Sequence, residues 1–337
     1  MRIKIWLPVL LILLAAIVYR LAAFTPELVS FSGPTMGTTY TVKFYTTEDY
    51  ESSWRVKENI DELLLKVNKS MSTYDPKSEL SLFNKSPSQQ VTKISDELAF
   101  VIDKALLIST MTNGEYDVTI GPLVNLWGFG PGKLEDKVPS DASIMEAKRN
   151  VGYQFLSLHD GELVKSRDIY VDLSSIAKGY GVDVLAEFLD TKGITSYLVE
   201  VGGEIKAKGV KPDESPWRVA IESPAGGLNM AEKVLSLNNA AMATSGDYRN
   251  YFEKNGVRYS HTISPTTGKP ITRRLASVSV IAETATMADG FSTAISVLGP
   301  EFGYQFAQDN GIAAYIIMKT DSGFESKYSD SFNAYLE

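Results

Sequence analysis

The stretch "IYVDLSSIAKGYGVD", residues 169–183, constrains the fold more than any other part of this sequence. Ile169, Tyr170, Val171 and Leu173 read as a short buried strand. From Ile176 onward the spacing turns helical, with Val182, Leu185, Ala186 and Leu189 on one stripe until Lys192 and Gly193 end the run. Asp172, Ser174, Ser175, Lys178, Gly179 and Gly181 sit at the handover. Ser174 or Ser175 is expected to cap the helix. Backbone amides at a helix start attract anions, and Lys178 in the first turn adds positive charge toward a phosphate. The two glycines remove side chains where a ligand approaches closely, and Asp172 can accept hydrogen bonds from a ring or a ribose. The same residues also describe an ordinary capped helix with an exposed lysine. They are not a P-loop, whose glycine spacing is absent.

Around this junction, strands and helices interleave unevenly. Residues 38–45 alternate apolar and polar and predict a strand. Residues 53–69 and 95–112 predict helices, the first carrying Val56, Ile60, Leu63, Leu64 and Val67 at helical spacing. "MSTYDPKSELSLFN" between them reads as a loop with a proline stop. "SYLVEV", "PWRVAIESP", "LASVSVIAE" and "IAAYIIMK" predict strands, and "TATMADGFSTAISVLG" predicts a helix. No exact repeat, low-complexity tract or linker divides the chain. The expectation is a single α+β domain, residues 27–337, with mixed or antiparallel sheets and packed helices.

The opening residues stand apart. "MRIKIWLPVLLILLAAIVYRLAAF" has a basic start, Arg2 and Lys4, then an apolar run interrupted by Arg20. Roughly 20 such residues span a bilayer, and Arg20 can snorkel to its edge. Residues 1–26 are expected to be an uncleaved signal anchor, with a cleaved signal peptide as the alternative, and the body is expected to be exported. The chain has no cysteine. That closes lipid attachment through an N-terminal cysteine and removes disulfides, thiolate metal sites and cysteine nucleophiles. A net charge of −8 with no long basic run argues against a nucleic-acid partner.

Several stretches carry residues that a core does not need. In the helix near residues 287–298, Met287, Phe291, Ala294, Ile295 and Leu298 share the core face. Asp289 and Thr293 are four apart on the opposite face, with Ser292 nearby. Two hard oxygen donors so placed can hold Mg²⁺; the plainer reading makes Asp289 a first-turn residue complementing its own helix dipole. "TSGDYRN", residues 244–250, offers small residues and amides suited to a pyrophosphate, with Arg249 as a clamp, or is a polar hairpin loop. "VGGEI" is a weak signal, since paired glycines often simply turn the chain. Of the two histidines, His159 reads as surface and His261 as a candidate general base. Tyr74, Trp127 and Phe129 can stack on a flat ring or pack in the core.

In order, "SGPTMGTTYTV", "MSTYDPKSELSLFN", "YDVTIGPLVNLWGFGP", "VDLSSIAKGYGVD", "YLVEVGGEIKAKG", "ATSGDYRNYF", "YSHTISPTTGKPI" and "TATMADGFSTAISVLG" resemble the FAD:protein FMN transferase family, the ApbE-type flavin transferases. The resemblance runs from about residue 30 to the end. It implies a Mg²⁺-dependent enzyme that cleaves the pyrophosphate of FAD, releases AMP and joins FMN through a phosphoester to a Thr or Ser hydroxyl of a target protein. It implies metal donors at Asp289, Thr293 and Ser292 and at the backbone oxygen of Ser175. The flavin nucleotide is implied at Met36, Tyr74, Glu115, Tyr116, Asp117, Asp172, Lys178 and Ile263, and His261 as base for the acceptor hydroxyl. The implied partners are subunits of membrane redox complexes such as the sodium-translocating NADH:quinone reductase, at the periplasmic side of the inner membrane. Two rival readings use the same residues: a Mg²⁺-dependent FAD pyrophosphatase giving FMN and AMP, and a non-catalytic exported flavin-binding protein.

Overall fold

The alternation after Gly37 makes a strand, and the residues before it make its partner. In the computed structural model, β1 (Glu27–Thr35) and β2 (Thr38–Thr46) pair antiparallel across a two-residue turn at Met36 and Gly37. Both turn residues have positive φ, 49° and 72°, which suits a tight hairpin between twisted strands. Gly37 adopts this freely; Met36 is held in a region that side chains disfavour.

The structure describes residues 26–47, 50–132, 138–224, 231–246, 251–254, 256–271 and 274–336. The expected N-terminal anchor therefore lies almost wholly outside the described residues, as does Arg249. No helix among the described residues is long and apolar enough to cross a membrane. After the hairpin come α1 (Tyr50–Met71), α2 (Glu79–Lys85), β3 (Thr92–Lys93), α3 (Asp96–Met111), α4 (Gly121–Leu126) and α5 (Asp141–Lys148). The middle of the chain supplies β4 (Leu156–His159), β5 (Glu162–Lys165), α6 (Ala177–Thr191), β6 (Tyr197–Val201), β7 (Glu204–Lys208), β8 (Trp217–Glu222) and β9 (Ala231–Leu237). Then follow β10 (Ala240–Gly246), β11 (Tyr251–Lys254), β12 (Val257–Ser260), β13 (Leu275–Ala282), α7 (Ala285–Leu298), α8 (Pro300–Asp309), β14 (Ala313–Thr320) and β15 (Gly323–Tyr328).

An eight-stranded sheet in the order β1-β2-β6-β7-β10-β13-β14-β15 is the spine, and its neighbouring strands run antiparallel. The fold is α+β, as expected. On one face Ile60, Leu64, Val182, Leu185 and Val199 form one cluster, and Ile102, Ile108, Val278, Val280 and Ile295 another. The β8–β9 ribbon covers the other face, its Trp217, Ile221 and Leu237 sharing a cluster with Met242, Tyr315 and Phe332. β13 feeds Val278 and Val280 to the first face and Ile281 to the second, the period-two alternation of a strand buried on both sides.

Local expectations fail at three points. "MSTYDPKSELSLFN" is not all loop: Ser78 accepts a hydrogen bond from the Ser81 N–H and caps α2, which buries Leu80 and Phe83. Seven residues are too few for periodicity to reveal such a helix. Ile169, Val171, Asp172 and Leu173 are buried and Tyr170 is half-buried, but they are not a strand, only a single bridge at Tyr170. The Asn84 side chain takes the place of a partner strand, donating to the Val171 carbonyl at 2.8 Å and accepting from its N–H at 2.8 Å. Neither Ser174 nor Ser175 caps α6; the capping position is Ile176, without a side-chain bond.

Candidate active site

The missing cap on α6 is supplied from another helix. Asp289, in the second turn of α7, accepts a hydrogen bond through Oδ2 from the Gly179 N–H at 3.0 Å, one of the amides that a helix start leaves unpaired. The helices can approach this closely because residue 179 has no side chain: a Cβ there would sit 2.2 Å from the Ala285 carbonyl oxygen. One turn further along the same face of α6, Asp183 accepts hydrogen bonds from the Ala285 and Thr286 N–H groups and the Thr286 hydroxyl, tying down the start of α7. Each helix thus lends the other a carboxylate. This overturns the reading of Asp289 as a complement to its own helix dipole. α7 is also not half-exposed: Asp289 is 2% exposed and Ser292 fully buried.

Burial pushes the Asp289 carboxyl above the usual carboxylate range, with the Lys178 ammonium pulling it back. Lys178 Nζ lies 4.0 Å from Asp289 Oδ1 and 2.7 Å from Glu204 Oε1. Glu204, at the start of β7, is 2% exposed, and its Oε2 is buried without a hydrogen-bond partner. Burial, then the charge of Asp289, pushes it up to about 8 against the pull of Lys178. The sequence offered no strong sign of Glu204, because it follows paired glycines that need only turn the chain. Gly202 does turn it, at φ 61°. It also makes room for the lysine stem, since a Cβ there would lie 3.0 Å from Lys178 Cδ.

These groups open on a cavity of about 550 Å³. Asp172, Ser175 and Lys178 reach it from the junction, Asp289 and Thr293 from α7, and Met36 from the hairpin turn. Tyr74, Glu115, Tyr116, Asp117, His261 and Ile263 line the rest. Every residue expected at the site borders this space except Ser292. Ser292 lies behind the wall, donating to the Asp289 carbonyl and meeting the Ser245 hydroxyl at 2.8 Å. Ser245 also meets the Thr293 hydroxyl at 3.1 Å. Thr244, Ser245 and Gly246 line the cavity too, so the described part of the "TSGDYRN" stretch contributes to it.

Some lining residues are spoken for by the fold. Tyr116 is buried, with its hydroxyl accepting from Ser175 Oγ at 2.9 Å. Asp117 accepts from the Thr119 N–H and hydroxyl and from the Tyr153 N–H. Asp172 accepts from the Ser174 N–H at 2.8 Å and from its hydroxyl. Glu115 binds the Thr266 hydroxyl at 2.8 Å through Oε1, while its Oε2 is buried without a partner.

The opposite wall is aromatic. β11 and β12 form a separate hairpin that ends at His261. Phe252 stacks on Tyr259 at 5.0 Å between centroids and meets Phe129 at 5.5 Å. Phe129 meets the edge of His261 at 6.4 Å, and Trp127 lies against Tyr259. Trp127 thus packs in a small core with Leu123, Ile144 and Ile263, while Phe129 and Tyr74 face the cavity. Tyr74 is 64% exposed and donates its hydroxyl proton to the Phe129 carbonyl at 3.0 Å across the mouth. His159 is on the surface, beside Asp160.

Among the described residues, no three His, Cys, Asp or Glu side chains converge as a metal cage. The donors expected around a cation here are the Asp289 carboxylate, the Thr293 hydroxyl one turn further along, and backbone oxygens of the junction, all bordering the cavity. That hard-oxygen set fits Mg²⁺, which retains several of its waters. With a basic side chain, a histidine and a flat-walled cavity alongside, the site suits phosphoryl transfer from a nucleotide with a planar ring.

Comparison with known proteins agrees. The sequence pattern of the ApbE family matches residues 36–316. The FAD:protein FMN transferase of Vibrio cholerae is 45% identical over 311 residues, covering 92% of this chain and 93% of that protein. The Haemophilus influenzae protein of the same name is 44% identical over 336 residues, covering 97% of each. Among solved structures, the flavin transferase ApbE from Vibrio cholerae superposes with a TM-score of 0.86 at 43% identity, covering 92% of this chain and 100% of that one. The apo flavinyl transferase ApbE of Pseudomonas stutzeri gives 0.86 at 41% identity, covering 92% of this chain and 97% of that one. A single α+β domain with this sequence pattern over most of its length belongs to the ApbE family of flavin transferases.

Proposed function

We propose that this protein transfers FMN from FAD to a Thr or Ser hydroxyl of a target protein, forming a phosphoester and releasing AMP. The observation that carries the reading is the convergence of Asp289, Thr293, Lys178 and His261 on one cavity in a chain of this family. Asp289 and Thr293, with the Ser175 backbone oxygen, would hold Mg²⁺, which when bound neutralises pyrophosphate charge and the departing AMP oxygen. Lys178 offers a second positive charge to the phosphates. Ser292, behind the wall, supports the metal site by donating to the Asp289 carbonyl.

The aromatic wall and Tyr74 would cover the flavin, with Met36 and Ile263 bounding its apolar edge and Glu115, Tyr116, Asp117 and Asp172 supplying polar contacts. His261 takes the proton from the acceptor hydroxyl as its oxygen attacks the phosphorus on the FMN side. The bond from that phosphorus to the bridging oxygen breaks, and AMP leaves with the electron pair. In this reading the acceptors are subunits of membrane redox complexes, such as the sodium-translocating NADH:quinone reductase. Residues 1–26 anchor the enzyme at the periplasmic side of the inner membrane.

Intact-mass measurement of an acceptor domain incubated with FAD, Mg²⁺ and the enzyme tests this directly. A gain of one FMN less water, abolished by EDTA, is expected. FMN and AMP in solution with no gain on a verified acceptor would replace transfer by hydrolysis.

A further inference from the structure

Lys178 stands between two buried carboxylates but does not share itself equally. Its ammonium is 2.7 Å from Glu204 Oε1 and 4.0 Å from Asp289 Oδ1. That asymmetry needs explaining, because an ammonium is the natural counter-ion for whichever buried carboxylate it can reach. Three features hold it on the Glu204 side. Gly202 leaves a bare backbone against the lysine stem. Glu204 is fixed at the first residue of β7, with its backbone registered against Val201 of β6. Asp289 is meanwhile held through Oδ2 by the Gly179 amide, so its Oδ1 is the oxygen turned to the lysine.

The geometry points to Glu204 as a positioning residue: it tethers the Lys178 ammonium away from Asp289 and so keeps that carboxylate open to a divalent cation. Resting on the metal reading above, this gives a role to a residue that otherwise buries a carboxylate with one oxygen unpartnered. Without the tether, Lys178 would collapse onto Asp289 and compete with the metal as a built-in cation. With it, the ammonium stays beside the site, where it adds to the field felt by a phosphate rather than occupying the metal's place. Groups that orient a metal ligand without touching the metal commonly change its affinity by about 10–100-fold.

The test is Mn²⁺ binding, read by loss of the free-ion electron paramagnetic resonance signal, on wild type and four variants. Glu204→Asp keeps the carboxyl group but shortens the reach, and it is expected to weaken Mn²⁺ binding on the order of tenfold. Glu204→Ala is expected to weaken it at least as much. Combining Glu204→Asp with Lys178→Met removes the competitor and is expected to restore affinity to the wild-type level or above, a rescue that structural damage would not permit. If Glu204→Asp binds Mn²⁺ as wild type does, the reach of the carboxyl group does not matter and the tether is wrong. Failure of the double variant to recover overturns it equally. Asp289→Ala separates the two levels: it is expected to abolish the site, and if it binds Mn²⁺ normally the metal reading fails and the tether with it.

Discussion

The two walls of the cavity are built differently. The first, carrying Asp289, Lys178 and Glu204, is made of two helices and a strand of the eight-stranded sheet, locked by carboxylates donated between helices. The second, carrying His261, is a two-stranded ribbon held by ring contacts among Phe129, Phe252, Tyr259 and Trp127. Buried charge must be held rigidly, because each misplaced carboxylate costs several kcal/mol. A wall that receives a planar ring and a protein hydroxyl needs flat surfaces and an opening, which aromatic packing provides. The division of labour is therefore electrostatic on the sheet side and shape-based on the ribbon side.

The largest test of that contrast is Asp289→Ala. It should lower Mg²⁺-dependent transfer on the order of 10³-fold, and a near-normal rate in the intact-mass assay would remove the electrostatic wall from the mechanism. His261→Ala comes next. Loss of a general base typically costs about 10²–10⁴-fold, and FAD binding by equilibrium dialysis should be unchanged. Parallel loss of FAD binding would instead make His261 part of the nucleotide pocket.

The third test uses pH. Glu204 and Asp289 both have raised values in the folded chain. For an acid this means the folded state favours the protonated form, so in the metal-free protein these two groups contribute their stability below the ordinary carboxylate value. The Glu204 contribution should be lost as pH rises from 4.5, the ordinary Glu value, through about 8. Thermal melts should show added Mg²⁺ stabilising the protein more at the upper end of this range than at the lower. An equal effect at both ends would contradict the buried-carboxylate picture.

On the ribbon side the effects should be smaller. Phe252→Ala removes two ring contacts and should lower transfer about tenfold, through a shift in the position of His261. Mn²⁺ affinity should be untouched; a fall in it would show that the walls are not independent. Tyr74→Phe is the smallest change. It removes one exposed hydrogen bond to Phe129, worth about 1 kcal/mol, and should alter the Michaelis constant for FAD by less than about tenfold.

Much of this was legible from residue order alone. Period-two runs such as "LASVSVIAE" and the 3.6-residue spacing of residues 95–112 mark β13 and α3 because each buries a face along its own length. Asp289 and Thr293 declared themselves as a carboxylate and a hydroxyl one turn apart, opposite the apolar stripe of their helix. Oxygen donors, a basic residue and a histidine in eight ordered motifs were enough to place the chain in its family. What local pattern could not carry was every feature whose partner lies far away in sequence. Asn84 replaces a strand neighbour for Val171, 87 residues on. Asp289 caps a helix that begins more than a hundred residues earlier. Glu204 becomes important only because β7 delivers it to Lys178 beneath Asp289. Periodicity reports which face of an element is buried; it is silent on what meets that face, and the buried charges of this site depend entirely on that meeting.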